Sequence, residues 1–330
     1  MLSNRFDRRR FGQALLAFAL PAPFATRAQV RSDTVRVLCG YPPGGSVDIV
    51  GRKLAEKLTG RIAANAVVEN KPGAAGRLAV DDLKRSAADG TTLLLTPASV
   101  MTLYPHVYRR LAYDVFADVV PVCSVAATEF ALAVGPMVPA SVTTFEEFVA
   151  WCKSTPTAPA CGNAGAGSLP HLMAMLLARE AHIELAHIPY RGGSASMQGA
   201  AAGEVPCAIA TEAGARPLVQ AGKLRVLVTT GTERSTFFAR VPTFAQVGLP
   251  ALTQREWFGV FMPARTPAAG VAAIAEAWRS AAQDADVREG FDKIGVRVEA
   301  LAPAELQAAL RSEHDFWGPV VKASGFTPEA

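Results

Sequence analysis

Short apolar runs alternate along the chain with stretches in which apolar positions recur every three or four residues. The runs read as strands at Val35–Cys39, Ala66–Glu69, Thr92–Leu95, Val119–Val125, Phe130–Val134, Ala186–Ile188, Val205–Ala210, Leu224–Thr229 and Trp257–Met262. Between most of them the period is helical. Val47, Val50, Leu54 and Leu58 share one helix face, and Gly60 sits where that helix would stop. Thr144-Phe145-Glu146-Glu147 is a capping box ahead of Phe148, Val149 and Cys152. Ser168 is placed to cap a helix carrying Leu169, Leu172, Leu176 and Leu177. Thr266-Pro267 opens another, and a last helix is expected from Pro303 to about Ser324, ended by Gly325. Strands alternating with helices predict an α/β fold of parallel strands and crossover helices. No internal repeat or low-complexity segment interrupts the pattern.

Two connections stand out for their chemistry. Tyr41-Pro42-Pro43-Gly44-Gly45-Ser46-Val47-Asp48 joins the first strand to the first helix, with Ser46 as the expected N-cap. Gly162-Asn163-Ala164-Gly165-Ala166-Gly167-Ser168 leads into the Leu169 helix in the same manner. The first N–H groups of a helix lack carbonyl partners, so a glycine-rich turn at a helix start is a ready anion site. Two such turns far apart in sequence suit two lobes facing one anion; the alternative is two unrelated capped helices. Asn70-Lys71-Pro72-Gly73-Ala74-Ala75-Gly76 is a third glycine turn. It carries neither a dinucleotide fingerprint nor a P-loop lysine-serine pair. Tyr190-Arg191-Gly192-Gly193-Ser194 precedes a further helix, and Arg191 either pairs with a carboxylate or is solvated. Ser168 and His171 lie outside any G-x-S-x-G elbow, which argues against a serine nucleophile. His171 reads as a hydrogen-bonding residue of a first helical turn. His106, His182, His187 and His314 are scattered, and no His/Cys pair has metal-ligand spacing. No metal or cofactor is expected.

Residues 1–28 resemble an export signal. Arg5, Arg8, Arg9 and Arg10 precede a short apolar segment from Phe11 to Leu20, with Thr26-Arg27-Ala28 at the cleavage position. Arg8-Arg9-Arg10-Phe11 also fits a twin-arginine core. Of 33 basic and 29 acidic residues, five arginines and Asp7 fall in this segment, leaving 28 of each sign in the remainder. A neutral mature chain gives nucleic-acid binding no electrostatic support. Val119 to Pro139 is apolar and long enough to span a bilayer, but Glu129 and prolines 121, 136 and 139 favour buried strands there. The five cysteines leave at least one unpaired by intramolecular bridging. Cys152 and Cys161 flank a proline-rich turn and are candidates for a disulfide in an oxidising compartment, whereas Cys39, Cys123 and Cys207 fit a core.

Taken together, several blocks resemble the periplasmic solute receptors of tripartite tricarboxylate transporters, the Bug family. They are Tyr41–Asp48 followed by Arg52, Glu69–Gly76, Ala88–Leu95, Gly165–Leu172, Ile188–Gly192, Val241–Phe244 and Trp257–Phe261. Their order and spacing cover the chain from about Val35 to Phe326. The resemblance implies a two-lobed Venus-flytrap binding fold, type II-like, with the ligand in the cleft between the lobes. Lobe 1 would comprise 29–132 and 256–330, and lobe 2 133–255. The crossing strands would lie near Phe130–Val134 and Trp257–Met262, with the last helices returning to lobe 1. In the family a ligand carboxylate is clamped by the two loops. That carries over to Pro43, Gly44, Gly45, Ser46 and Asp48 on one side. On the other it carries over to Ala166, Gly167, Ser168 and His171, with Tyr190 nearby and Ala98 and Ser99 lining the first lobe. Tyr41 stands where the family usually has Phe, and its hydroxyl is expected to reach ligand or water. Glu129 lies near the expected hinge: facing the cleft, it would pair with a ligand amino group and favour an amino acid over a dicarboxylate; otherwise it is solvated.

The expected function is therefore periplasmic capture of a small carboxylate (a di- or tricarboxylate, amino acid or aromatic acid) by a monomer that delivers it to membrane permease subunits, without catalysis. The competing readings are a sensor for a membrane signalling partner and a secreted hydrolase using Ser168 and His171.

Overall fold

The structure, a computed structural model, describes residues 33–326, so the expected signal at 1–28 lies outside the described residues. Its strands are β1 (Thr34–Cys39), β2 (Asn65–Asn70), β3 (Thr92–Pro97), β4 (Val119–Val134), β5 (Ala160–Asn163), β6 (Ala186–Pro189), β7 (Cys207–Thr211), β8 (Arg225–Thr229), β9 (Arg255–Pro263) and β10 (Arg297–Val298). Its helices are α1 (Ser46–Leu58), α2 (Arg77–Arg85), α3 (Ala98–Thr102), α4 (Tyr104–Val107), α5 (Phe145–Ser154), α6 (Leu169–Glu180), α7 (Gly193–Ala202), α8 (Glu212–Gln220), α9 (Ala268–Gln283), α10 (Ala285–Ile294) and α11 (Pro303–Ser324). None is long and apolar enough to cross a membrane among the described residues.

The strands form one sheet in the order β2-β1-β3-β9-β4-β7-β5-β6, with β8 and β10 also paired to β4. β1, β2 and β3 are mutually parallel, as are β5, β6 and β7. These two parallel sets make two lobes, and β4 belongs to both. Val119 to Glu129 pairs with β9, ending at Glu129 opposite Arg255; Phe130 to Val134 pairs with β7 and β8. The exchange of partners between Glu129 and Phe130 marks the crossing point. Two strands were expected in this stretch. They run as one because Ala126, Ala127 and Thr128 stay in register with β9, and Pro121 is accommodated at a bulge.

Each lobe buries its own core. One core packs α1, α9 and α10 on β1, β3 and β9 around Trp278, Phe258 and Phe291. A smaller one, rich in alanine, gathers Met197, Ala208, Ala210 and Phe238. A third runs from Tyr104 through Trp257 and Trp317 to Phe148 and Leu172, so it links the lobes. α9 and α10 pack on the first lobe, against α1, and α11 packs mainly against α3, α4 and β4 while also touching α6. Cys152 and Cys161 are free thiols, and so are the other three cysteines. Instead of a bridge, both are buried in the third core, and burial pushes the Cys152 thiol up to about 12.

Candidate functional site

Helices α1, α6, α7 and α8 each start at the carboxyl end of a strand, and their first residues face one another across the sheet crossing. Between them lies a cavity of about 310 Å³. Gly45, Ser46 and Val47 line it from α1, Ser168 and Pro170 from α6, Gly192 to Ala195 from α7, and Thr211 from the start of α8. Phe130 of β4, Pro97 at the end of β3, Ser99 just beyond it, and Glu256 and Phe258 of β9 form the floor. Open helix ends at the carboxyl edge of parallel strands are where an α/β sheet binds ligands. Each of α1 and α7 contributes first-turn N–H groups without intrahelical partners; α6 contributes fewer, because Pro170 has none to give. The starts of α1, α6 and α7 thus bring three positive dipole ends to one small volume, while α8 opens with the acidic Glu212.

The loops hold that geometry by internal hydrogen bonds. The Gly44 N–H donates to Asp48 Oδ2 at 2.9 Å, Arg52 donates to the same oxygen at 3.0 Å, and Asn70 Nδ2 donates to Oδ1 at 2.8 Å. Burial opposes the charge on Asp48, but these donors more than offset it and hold the carboxyl below its usual range. Gly40 lets the two turns of this lobe touch: a Cβ there would lie 2.6 Å from Gly76 Cα. On the other side, Asn163 Oδ1 accepts from the Gly165 N–H at 3.1 Å and the Ser168 hydroxyl donates to Gly165 O at 2.7 Å. His171 Nδ1 accepts the Gly167 N–H at 3.0 Å. Its ring stacks on His187 at 3.3 Å between centroids, and His187 Nδ1 bonds Asn163 Nδ2. Burial, and for His171 the neighbouring ring as well, lowers the two imidazoles to about 3 and about 4, so both are neutral.

The expected site residues divide accordingly. Tyr41, Pro43, Gly45, Ser46, Ser99 and Ser168 line the cavity. Asp48 does not: its carboxylate is spent inside the loop. Gly44 forms the outer corner of the same turn. Gly167 and His171 stand behind the second loop. Ala166 and Tyr190 line a neighbouring cavity, and Ala98 a third. Ser46 is the first helical residue rather than the cap, which is Gly45, and its hydroxyl meets Thr211 Oγ1 of the other lobe at 2.9 Å. The Tyr41 hydroxyl is engaged within its own lobe: it donates to Ala75 O at 3.2 Å, as does that of Tyr104 at 2.9 Å. Ser168 and His171 are bonded to loop backbone and not to each other, so no nucleophile–base pair is formed there. Glu129 is ion-paired with Arg297 and lines the third cavity, apart from the helix starts.

Sequence reasoning missed Thr211, Gln198, Phe258 and above all Glu256. Glu256 is 4% exposed and accepts the Ser99 N–H at 2.8 Å, with Ser99 Oγ at 3.2 Å from its second oxygen. Burial raises its carboxyl to about 8; the Ser99 backbone bond opposes the shift and nearby Glu313 adds to it. The available signal was one acid, Arg255-Glu256-Trp257, at the head of an otherwise apolar strand.

Comparisons with known proteins agree with this geometry. The family described as "Tripartite tricarboxylate transporter family receptor" matches residues 50–326. Protein BugT of Bordetella pertussis is 29% identical over 304 residues, covering 90% of this chain and 93% of BugT. Among solved structures, R. palustris Rpa4515 with adipate superposes with a TM-score of 0.85 at 25% identity, covering 90% of this chain and 98% of that one. MatC from Rhodopseudomonas palustris with bound malate gives 0.81 at 27% identity, covering 87% and 98%. The two lobes and their cleft are thus those of a periplasmic binding protein, and the chain belongs to the tripartite tricarboxylate transporter receptor family.

Proposed function

We propose that this protein is an exported, periplasmic receptor that captures a small carboxylate between its lobes and delivers it to the membrane permease subunits of a tripartite transporter. The observation that carries this reading is the convergence of three helix starts on a cavity of about 310 Å³ whose only side-chain cation among the described residues is Arg191. Backbone donors recognise an oxyanion without a buried countercharge, and excluding water strengthens each bond. Adipate and malate in two solved relatives are ligands of the same chemical kind.

In this reading residues 1–28 are removed on export, lobe 1 is 29–132 with 256–330, and lobe 2 is 133–255. β4 and the start of β9 act as the hinge. Gly45, Ser46 and Ser168 contact the carboxylate, while Asp48, His171 and Gly167 keep the loops in shape. The receptor works as a monomer and turns nothing over. A thermal-shift screen of the mature protein, unfolded and refolded to strip bound ligand, tests this. A carboxylate at 100 times its Kd should add about 2.7 kcal/mol of stability. Silence across di- and tricarboxylates, amino acids and aromatic acids would overturn the proposal.

A further inference from the structure

The floor of the cavity holds a carboxyl group that carboxylate capture does not use. Among the described residues Glu256 and Arg191 are the only charged side chains lining the cavity, and they differ in kind. Arg191 is exposed, at the head of α7, and free to follow solvent. Glu256 is buried among Phe130, Phe258 and Pro97, with no cation among its hydrogen-bond partners. Ser99 occupies one acceptor direction on each oxygen, and the residue lines both this cavity and its neighbour. The charged and titratable groups around it do not supply a cation either. Glu313 of α11 is itself acidic and accepts the Trp257 indole N–H, and Tyr41 contributes a phenol committed to Ala75. Arg255 and Arg297, which line the adjoining cavity, are ion-paired with Glu299 and Glu129. A buried carboxylate without a cation is strongly disfavoured, so the group is completed either by a proton or by a positive charge that arrives with the ligand.

We propose that Glu256 determines specificity: the ligand is a zwitterion with an apolar body, its carboxylate held at the helix starts and its ammonium at Glu256. The inference rests on the carboxylate reading above. A site with positive dipole ends on one wall and a lone acid on its floor matches a molecule carrying both charges. The prolines, alanines and phenylalanines between them match an aliphatic or aromatic body. A dicarboxylate would face the acid with like charge unless Glu256 kept its proton.

The two ligand types differ in the sign of their pH dependence. The free site holds its proton up to about pH 8. An arriving ammonium displaces that proton to solvent, so amino-acid affinity rises with pH toward 8, by at most about tenfold per unit. A dicarboxylate requires the proton, so its affinity falls as pH passes 8.

The experiment is calorimetric titration of the stripped mature protein with alanine, leucine, 4-aminobutyrate and 6-aminohexanoate, against succinate and adipate, at pH 6.5 and 8. The same titrations use Glu256→Gln, which keeps an acceptor for the Ser99 N–H. An amino acid should bind the wild type at least about tenfold more tightly than the dicarboxylates, with proton release at pH 6.5. Glu256→Gln should lose about tenfold or more for that amino acid while its dicarboxylate affinity holds or improves. If the variant misfolds, the wild-type pH dependence and proton release decide alone. Dicarboxylate preference in the wild type, affinity that falls with pH, or a folded Glu256→Gln with unchanged selectivity would overturn the proposal. Failure of every compound to bind the wild type would instead remove the carboxylate reading itself, and this inference with it.

Discussion

Asp48 and His171 show how residues of a binding loop can matter without touching ligand. Asp48 accepts three donors, one each from its own turn, α1 and β2, and each bond fixes part of the turn that aims α1. Asp48→Ala leaves the Gly44 N–H without its acceptor and takes from the Asn70 amide one of its two, the other being Tyr41 O. A loss of about 1.5–3 kcal/mol is expected in urea unfolding, with weakened ligand binding, whereas Asp48→Asn keeps one acceptor oxygen and loses less. Buried titratable residues set the pH profile of stability. His171 and His187 have folded pKa values near 3 and 4, below the unfolded value of about 6.5. Between those limits the unfolded chain binds more protons, so their contribution falls as pH drops below 6.5. Glu256 and Glu212 are raised by burial to about 8 and about 7, so here the folded chain binds more protons and stability falls as pH rises from about 4.5. Above pH 6.5 only the glutamates remain in play. Melting temperature should therefore decline from pH 6.5 to 8, and Glu256→Gln should flatten that decline; an unchanged slope in the variant would exclude Glu256 as its source.

At the scale of elements, what could be read in the sequence depended on whether local signals agreed with tertiary ones. The capping box at Thr144 and Glu147 forms as expected, with Thr144 Oγ1 accepting the Glu147 N–H at 3.2 Å, and α11 ends before Gly325. Both signals are complete within a few residues. β5 was not legible, because Ala160-Cys161-Gly162-Asn163 has little strand propensity and is strand only through pairing with β6 and β7. The site was legible where backbone does the work: glycine, proline and serine before a helix announce open N–H groups at Gly45, Ser46 and Ser168. It was not legible at Glu256 or Thr211, since facing a cavity depends on register and lobe placement that no local window contains. α7 adds a packing constraint of this non-local kind. Gly135 follows β4, and a Cβ there would lie 1.9 Å from Ala200 O near the end of α7. Gly135→Ala must push α7 along its axis or outward, moving the Gly193 start that lines the cavity. Chemical denaturation should show a loss of about 1–3 kcal/mol. Ligand affinity should fall with it, although Gly135 is remote from the cavity; intact affinity would mean that α7 does not shift.

For the molecule as a whole, the contacts that cross the cleft define which state this is. Ser46 meets Thr211, Gly165 faces Ala75, Gly192 faces Pro42, and the Tyr108 hydroxyl donates to Ala166 O at 2.5 Å. The walls touch directly, so the lobes are closed. Opening at the Glu129–Phe130 crossing would break these bonds while leaving each lobe's own core intact. Ligand affinity then depends on the closed fraction, because the apparent Kd is the intrinsic Kd divided by that fraction. Tyr108 isolates the effect. It does not line the main cavity, and its ring carries the Arg77 guanidinium at 3.7 Å, a contact that phenylalanine preserves. Tyr108→Phe therefore removes the hydroxyl that donates across the cleft to Ala166 O and keeps the ring. A neutral hydrogen bond contributes about 0.5–1.5 kcal/mol, so the variant should bind roughly 2- to 12-fold more weakly. Because that bond forms only on closure, the change should appear as faster dissociation, and small-angle scattering of the unliganded variant should report a larger radius of gyration. An unchanged Kd together with an unchanged radius would show that closure is held by the ligand and the third core rather than by bonds between the cleft walls.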